Sequence, residues 1–443
     1  MSHLTPFRCS ARVLGWLVFC LLTIALIGLL APPGSADALI RAGLSRVEIT
    51  PPPGGKTWGY AGASPTVGIH DPLYATVLIL EASDTRVALV CWDVCEFQSP
   101  RLHKAVGELG ITHLLLCCSH THAGPDLYQK DFPSEEKPWL QTVEDRITEA
   151  IRQACADMFA ASFAVAEGNI QLGYNRLVRW PDGLNRTYFN NPERVPYGPI
   201  DPTVGLIRVE DGSGKTRAVL VHYACHPVVL GPKNVWISAD YVGAMRKMVE
   251  EQLGGGVLCL FLQGCAGDIN PLIMARTGEP EQDFPLVETM GRLLGEEVLR
   301  TFDTLKTKPT RSDDLRVMSN TITVGHRWEP GKNLTFGVTS LLLNGSMGFV
   351  TIPGEPFIYY QKYLRERAEL PHVYLVGYTD NNLQNWPDYY FPDIVSAAHA
   401  GYGASDTTMA EVGAGERLVN QGLIHLFAMR DMYKPQPWRP PSR

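Results

Sequence analysis

Short apolar runs alternate with amphipathic stretches along the chain, and this alternation limits the fold more than any other feature of the sequence. The apolar runs have strand length and stop at polar or glycine-rich corners; they cover residues 86–94, 112–120, 218–226, 257–264, 347–354 and 373–379. The stretches of helical length cover residues 137–160, 240–253, 284–305, 356–368 and 411–429. Such alternation is typical of α/β folds with a buried, partly parallel sheet. We therefore predict an α/β fold in which a mixed, largely buried β-sheet core is flanked by helices in a single large catalytic domain.

The N-terminus has the pattern of a targeting segment and is excluded from the fold. Arg8 and Arg12 precede a nearly uninterrupted apolar run from Leu14 to Ala31, and residues 36–38 (ADA) have the small-x-small form of a signal-peptidase site. The run is also long enough to span a bilayer, so an uncleaved membrane anchor is the alternative. Since the basic residues precede the run, we expect the rest of the chain to be exported: periplasmic, secreted or membrane-anchored. The chain then divides into a signal peptide or anchor, a hydrolase domain and a Pro-rich irregular tail, over residues 1–38, 39–432 and 433–443.

Charge and cysteine spacing exclude two classes of protein. The net charge is −7 and the pI is near 6.0, whereas nucleic-acid-binding proteins usually show a basic face. We therefore expect no nucleic-acid partner. Eight cysteines lie outside the leader and none forms a Cys-x-x-Cys pair, which argues against a structural zinc knuckle. We expect buried thiols; the alternative for an exported protein is pairing of Cys91 or Cys95 with Cys117 or Cys118.

Side chains that can bind a metal follow several of the predicted strands. In open α/β folds, ligands bind at the carboxyl ends of the strands. The residues found there are Asp93, His120, His122, His226, Asp268 and Glu355, together with the corner GYTDNN at 377–382. We expect the site to lie where these strand ends meet.

His120 and His122 form a His-x-His pair at the end of one apolar run. On an extended segment their side chains would point the same way and contact one ion or substrate; the alternative is a hydrogen-bonded pair in a loop. His226 adds a third imidazole and Glu355 a carboxylate, a combination that zinc sites use while keeping one position for water. Alone, Glu355 would be interpreted as a helix N-terminal acid. Asp268 is either a ligand of a second metal or a cap of the following segment.

Eight ordered motifs resemble the neutral/alkaline (non-lysosomal) ceramidase family. They are SRVEITPPPG, GIHDPLYAT, CCSHTHAGP, YNR, CHPVVL followed by ISADYVG, QGCAGDINP, IPGE and GYGAS. The resemblance extends from about residue 42 to residue 430. Members of that family are zinc amidases that cleave the N-acyl bond of ceramide to give sphingosine and a fatty acid. The resemblance therefore implies a zinc-dependent amidohydrolase with a lipid or small-molecule N-acyl substrate, in contact with the membrane through its N-terminal segment if that segment is uncleaved.

The resemblance also implies a role for each matching residue. The implied ligands of one Zn²⁺ are His120, His226, Glu355 and Tyr402. His122 and Arg176 would face the scissile amide and its oxyanion, and His122 would either stabilise that oxyanion or protonate the leaving amine. The nucleophile would be water activated by the metal. A second divalent ion is left open, near Asp93, Asp240 and Asp268.

Two departures from the family pattern bear on the substrate. The family's ceramidases carry a serine, proposed to be catalytic, before the proline of GD-x-S-P, and this chain has Asn270 there. We therefore expect no acyl-enzyme, and Asn270 at most donates a hydrogen bond in the catalytic site. We also expect the chain to lack the family's C-terminal immunoglobulin-like domain. The alternatives to a ceramide-like substrate are another amide or ester on the same scaffold, or a catalytically silent envelope binding protein.

Overall fold

The predicted strands and helices are nearly all present in the computed structural model, which describes Met1 and residues 40–305, 314–380 and 390–433. All but the first residue of the predicted leader, all but the first residue of the predicted tail and the end of the GYTDNN corner lie outside these residues. From residue 39 onward the chain forms one compact unit. Within the described ranges, no helix is long and apolar enough to cross a membrane.

The strands are short and number twenty-one in the described part of the chain. The first ten are β1 (Arg41–Glu48), β2 (Gly68–Ile69), β3 (Tyr74–Ala82), β4 (Thr85–Trp92), β5 (His113–Cys118), β6 (Met158–Ala160), β7 (Ser162–Asn169), β8 (Gly173–Asn175), β9 (Leu177–Arg179) and β10 (Asn185–Thr187). The next six are β11 (Thr203–Glu210), β12 (Thr216–Tyr223), β13 (Trp236–Ile237), β14 (Leu258–Gln263), β15 (Ile269–Pro271) and β16 (Leu315–Gly325). The last five are β17 (Asn333–Leu343), β18 (Met347–Thr351), β19 (Glu355–Pro356), β20 (His372–Val376) and β21 (Tyr390–Phe391).

Seven helices lie in the same residues. They are α1 (Pro100–Gly107), α2 (Trp139–Ala156), α3 (Asp240–Leu253), α4 (Pro280–Asp303), α5 (Ile358–Arg367), α6 (Ile394–Ala398) and α7 (Ala414–Met429). Local sequence explains several of their ends. Pro280 at the start of α4 has no backbone N–H to leave unpaired, and α3 ends at Gly254, whose φ of +60° favours glycine.

Three larger sheets carry the fold, with strand orders β5-β4-β3-β1-β6, β14-β12-β11-β7 and β16-β17-β18-β20. Most neighbouring strands are antiparallel. Each sheet contains one parallel pair: β4 with β5, β12 with β14, and β18 with β20. The mixed α/β class is thus confirmed, and the sheet core consists of three sheets.

The apolar core is layered. One cluster of buried side chains joins the three sheets to one another, with Leu115, Leu220 and Leu341 among its members. A second cluster lies between the first sheet and α1 and α2, and a third packs α3, α4, α5 and α7 against the other two sheets. Because both faces of the central strands are covered, they appear in the sequence as continuous apolar runs.

The longest hairpin, formed by β16 and β17, was not among the predicted strands. Its residues pair in register from Leu315↔Leu343 to Gly325↔Asn333. Along β17, buried and partly exposed positions alternate because the outer face of the hairpin meets solvent. Such a strand contains no continuous apolar run, and it was therefore missed.

The described cysteines form no disulfide. Cys91 and Cys117 are partners across β4 and β5, the neighbourhood in which a disulfide was the alternative. Nevertheless, none of the eight cysteines in the described residues forms a disulfide, and seven of them are buried. Seven of the eight cysteines therefore match the prediction of buried thiols.

Candidate metal centre

The candidate site lies where the carboxyl ends of three strands converge, one from each large sheet. His120 and His122 follow β5, His226 follows β12 and Glu355 follows β18. Each of these strands is a member of its sheet's parallel pair. The predicted meeting of strand ends is present, and it occurs between sheets.

The His-x-His pair does not lie on an extended segment, contrary to our prediction. Strand β5 ends at Cys118, and His120 adopts a left-handed backbone with φ of +70°. Its backbone N–H donates to the carbonyl of Val94 at 3.0 Å. The imidazoles still converge, with 3.2 Å between their Nε2 atoms. A strained backbone at a non-glycine residue, rather than strand alternation, brings the two rings together.

Backbone carbonyls fix the orientation of two imidazoles. The Nδ1 atom of His120 lies 3.0 Å from the carbonyl oxygen of Cys95. That of His226 lies 2.6 Å from the carbonyl oxygen of Ala266. A carbonyl only accepts, so each Nδ1 carries the proton and each Nε2 keeps a lone pair. Metal-binding histidines are usually held by such a contact at the other ring nitrogen.

Glu355 faces both lone pairs. Its Oε2 atom lies 3.0 Å from Nε2 of His226 and 3.5 Å from Nε2 of His120. Neither this oxygen nor Nε2 of His226 has a hydrogen-bond partner among the described residues, although both are buried. Buried polar atoms without partners are costly. Two imidazole nitrogens and a carboxylate oxygen that point at one another fit a divalent metal such as Zn²⁺.

The electrostatics of the cluster favour the protonation states of metal ligands. Burial lowers the pKa of His226 to about 4. Burial opposes ionisation of Glu355, but a positive charge beside it, on His120 or His226, outweighs burial and holds the pKa of that carboxyl well below its usual range; a bound metal ion would supply such a charge. Neutral imidazoles and an ionised carboxylate are the forms that bind metals.

A second group of potential ligands shares His120. It consists of Cys95, His120 and His122, with the Cys95 thiol sulfur 3.5 Å from Nδ1 of His120. That nitrogen is already directed at a carbonyl, whereas Nε2 of His226 and Oε2 of Glu355 have no hydrogen-bond partner among the described residues. His120, His226 and Glu355 are therefore the stronger set.

Tyr402 lies at the same cavity, and Arg176 lies close to it. A cavity of about 440 Å³ is lined by Tyr402 together with His120, His122, Glu355 and Tyr390. The Arg176 guanidinium carbon is 5.0 Å from the centre of the Tyr402 ring and 5.5 Å from that of Tyr390. A cation within about 6 Å of an aromatic ring is attracted to it, so Arg176 is held against both tyrosines.

Arg176 itself is buried and held by its own neighbours. It donates to the carbonyl of Gly267 at 2.6 Å and to Oδ1 of Asn270 at 3.3 Å. Burial lowers its pKa, but Tyr390 and Glu355 outweigh that effect and raise the pKa of Arg176. The side chain therefore remains a cation behind the two tyrosines. Asn270 contacts Arg176 as an acceptor.

The described contacts of Asp93, Asp240 and Asp268 do not support a second metal site at these residues. Asp93 pairs with Arg246 at 2.7 Å, and Asp240 accepts backbone N–H groups of Val229 and Leu230. Asp268 accepts from the backbone N–H of Ile358 at 2.8 Å. It thus caps the distant helix α5 rather than the segment that follows it.

The sequence analysis named Tyr378 only as part of the GYTDNN corner, and it missed Tyr60 and Tyr390. The Tyr378 ring lies 4.1 Å from the His120 ring, and its buried hydroxyl has no hydrogen-bond partner in the described part of the chain. Tyr390 lines the cavity beside Arg176, and Tyr60 packs its ring edge-on to His122 at 4.7 Å. Tyr378 follows β20, the strand-end position from which its corner was predicted to face the site. Tyr60, in the loop Lys56–Ala63 that lines the cavity, gave no usable signal.

Comparison with known proteins gives consistent matches. A family model described as neutral/alkaline non-lysosomal ceramidase, N-terminal, matches residues 40–283. Neutral ceramidase A of Dictyostelium discoideum is 27% identical over 270 residues, which cover 54% of this chain and 36% of that protein. Neutral ceramidase B of the same organism is 26% identical over 233 residues, or 46% and 31% of the two chains. The match spans about a third of the length of these relatives.

Solved structures match over more of the chain. The neutral ceramidase from Pseudomonas aeruginosa superposes with a TM-score of 0.70 at 15% identity, over 92% of this chain and 77% of that one. A ceramidase complexed with C2 gives a TM-score of 0.71 at 16% identity, over 91% and 77%. At these identities the matches show a shared fold.

Proposed function

The chain belongs to the neutral/alkaline non-lysosomal ceramidase family, and from this premise we propose that it is a zinc-dependent hydrolase that cleaves the N-acyl amide bond of a ceramide-like lipid. The observation that carries the proposal is the buried cluster of His120, His226 and Glu355, in which the carboxylate oxygen lies within 3.5 Å of both imidazole Nε2 atoms. These three residues and Tyr402 would hold one Zn²⁺. The family's known chemistry supports zinc as the metal.

When bound, Zn²⁺ would supply a Lewis acid that polarises the amide carbonyl and lowers the pKa of a water molecule. The protein's own contribution is orientation. The carbonyls of Cys95 and Ala266 hold the two histidine ligands in one tautomer. Arg176, whose guanidinium lies against the Tyr402 ring, would hold that ring in place at the cavity.

His122 is proposed to face the substrate. Its Nδ1 is buried without a hydrogen-bond partner in the described residues, so it is available to contact a substrate amide. It would either stabilise the oxyanion or protonate the leaving amine. The positive charge of Arg176 adds to the stabilisation of negative charge that develops nearby.

The substrate and the location are parts of the same proposal. Asn270 stands where the family's ceramidases have a serine, which favours direct hydrolysis without an acyl-enzyme. Another amide or ester on the same scaffold is the second candidate, and Asn270 is the observation that favours it. Export is proposed from the apolar run Leu14–Ala31 behind Arg8 and Arg12.

A substrate panel tests the function. Purified full-length protein is incubated with labelled ceramide, other N-acyl lipids and acyl esters, with and without a chelator. We expect cleavage of at least one N-acyl lipid, its loss with the chelator, its recovery on adding Zn²⁺, and no cleavage by Glu355→Gln. Cleavage that survives metal removal would contradict zinc dependence, and cleavage of esters alone would favour the second candidate.

A further inference from the structure

We propose that the β9–β10 hairpin, residues 177–187, docks the protein on the surface of a phospholipid bilayer. We call this segment the docking hairpin. The proposal rests on the proposed function, because a ceramide-like substrate resides in a bilayer and must reach the cavity from it.

Two large apolar side chains lie at the tip of the docking hairpin. Trp180 and Leu184 are each 45% exposed. The backbone N–H of Trp180 donates to the carbonyl of Leu184 at 2.9 Å, and that of Gly183 donates to Trp180 at the same distance. These bonds hold the two side chains next to each other on a closed turn. A tip that is already ordered loses little conformational entropy when it enters an interface.

The charge around the tip complements phospholipid headgroups. Between residues 177 and 192 the only acid is Asp182, whereas Arg179 and Arg186 are basic. Asp182 pairs with Arg186, and Arg179 hydrogen-bonds the neutral amide of Asn185. The segment thus carries net positive charge in a chain whose net charge is −7. Aromatic and basic residues together are typical of segments that lie in the membrane interface.

Arg186 brings positive charge next to the apolar side chains of the tip. Its guanidinium carbon lies 5.6 Å from the centre of the Trp180 ring. In the interface, tryptophan lies at the level of the headgroups, where a neighbouring cation meets phosphate. Trp180 and Arg186 could therefore contact the headgroup region at the same time.

The base of the docking hairpin is part of the candidate site. Leu177 is buried in a small cluster with Tyr390, against which Tyr402 packs. Beyond the hairpin, Phe189 is 45% exposed and packs edge-on to Tyr402 with 5.0 Å between ring centres. The hairpin therefore connects the exposed tip to residues that pack against the tyrosines of the cavity. A bilayer at the tip would lie beside the entrance that its lipids need.

A local fluorescent probe tests the contact. An environment-sensitive dye is attached to Leu184→Cys in the full chain, and to Ile424→Cys as a control, because Ile424 has the same 45% exposure on helix α7. Dye-treated wild type corrects for other cysteines. Vesicles of phosphatidylcholine with a minor fraction of phosphatidylglycerol are then added. We expect a severalfold rise and a blue shift of emission at position 184 and none at 424. Equal responses at both positions, or none at 184, would overturn the proposal.

The probe reports only its own surroundings, so the result does not depend on whether residues 1–38 also enter the bilayer. It also needs no turnover, and the labelled protein can carry Glu355→Gln. If wild type cleaves no N-acyl compound but position 184 responds, the proposed function fails and docking stands. If wild type cleaves its substrate and position 184 is silent, docking fails alone.

Activity provides a second readout. The double variant Trp180→Ser/Leu184→Ser is compared with Ile424→Ser on an N-acyl lipid in vesicles and on a short-chain, monomeric analogue. We expect a severalfold loss of the double variant's rate on vesicles only, with the rate on the monomeric analogue unchanged. An equal loss on both substrates would assign the hairpin to the stability of the site instead.

Discussion

Nε2 of His226 lies 3.0 Å from Oε2 of Glu355, and neither atom has a hydrogen-bond partner in the ranges that the structure describes. The two residues come from different sheets, and the carbonyl of Ala266 holds the opposite nitrogen of the histidine. Their geometry leads to predictions on metal binding, and the surrounding residues lead to predictions on catalysis and stability.

His226→Ala should lose the metal. Removing one of two tethered imidazoles leaves too few ligands for a buried divalent ion. His222→Gln is the matched control, because His222 is buried four residues earlier and contacts the carbonyl of Leu375 instead. Metal analysis of folded, gel-filtered protein should find about one Zn²⁺ per chain in wild type and the control, and almost none in His226→Ala. Full zinc retention in His226→Ala would remove this residue from the ligand set.

Gly59→Ala should reduce turnover while zinc is retained. Gly59 has φ of +113°, and a β-carbon there would lie 2.5 Å from the His122 ring. Displacing a positioned group by about 1 Å can cost on the order of 10²-fold in rate. Gly62→Ala shares the positive φ but meets nothing within 4 Å, so it controls for backbone strain. A Gly59→Ala variant that lost its zinc would show that His122 is itself a ligand.

Arg176→Met should lower kcat/KM on the order of 10²-fold, the usual loss for removing one group that stabilises a developing oxyanion. Arg176→Lys should lose less, because it keeps the charge but not the paired contacts to Gly267 and Asn270. Steady-state kinetics with the best substrate of the panel measures both variants. Equal losses would mean that hydrogen bonding, not charge, is the contribution of Arg176.

Asn270→Ala should lower kcat/KM by no more than on the order of 10²-fold, since it removes one hydrogen bond from the Arg176 cation, worth about 1.5–3 kcal/mol. Loss of a true nucleophile or its base costs about 10⁴-fold or more. Kinetics and a rapid-mixing search for an acyl-enzyme burst distinguish the two cases. A burst in wild type that disappears in Asn270→Ala would contradict the direct hydrolysis proposed above.

Asp240→Asn should flatten the pH dependence of stability. Burial raises the pKa of Asp240 to about 6 in the folded protein, against about 3.9 in an unfolded chain. The folded state therefore holds this proton more tightly, so the group's stabilising contribution is complete below about pH 4 and is lost as pH rises through about 6. The loss is on the order of 2–3 kcal/mol. Urea unfolding of wild type and variant between about pH 4 and pH 7 measures it; identical slopes would contradict the shifted pKa.

The sequence predicts the site better than its surroundings. His120, His226 and Glu355 could be predicted because buried strands end abruptly at polar residues. The change from apolar to polar residues is visible in the sequence alone. Helix α3 was predicted with its observed bounds for a similar reason: a polar start, an amphipathic face and a glycine stop. The division of the core into three sheets was not predicted, because the same apolar run can pair with several partners. The β16–β17 hairpin and Tyr60 were missed because their side chains are half-exposed and carry no distinctive spacing.

The backbone conformation of His120 also could not be predicted from its residue type. The i, i+2 spacing suggested an extended segment, but the hydrogen bond to Val94 and the φ of +70° turn the chain instead. Backbone hydrogen bonds from Ser119 to the carbonyl of Trp92 and from His120 to that of Val94 hold this conformation, and such tertiary contacts are not visible in the sequence. Tyr402 likewise needed the family resemblance, since tyrosine beside glycine has no intrinsic preference for metal.

The convergence of strand ends from three sheets has a consequence for folding. His120, His226 and Glu355 are each more than a hundred residues from the next along the chain, and no disulfide joins the described cysteines. One ion held by all three would close two long loops at once, as a reversible cross-link. Long loops lose the most entropy when they are closed. The ion would then contribute to the cohesion of the whole β core, and its removal should weaken the association of all three sheets together.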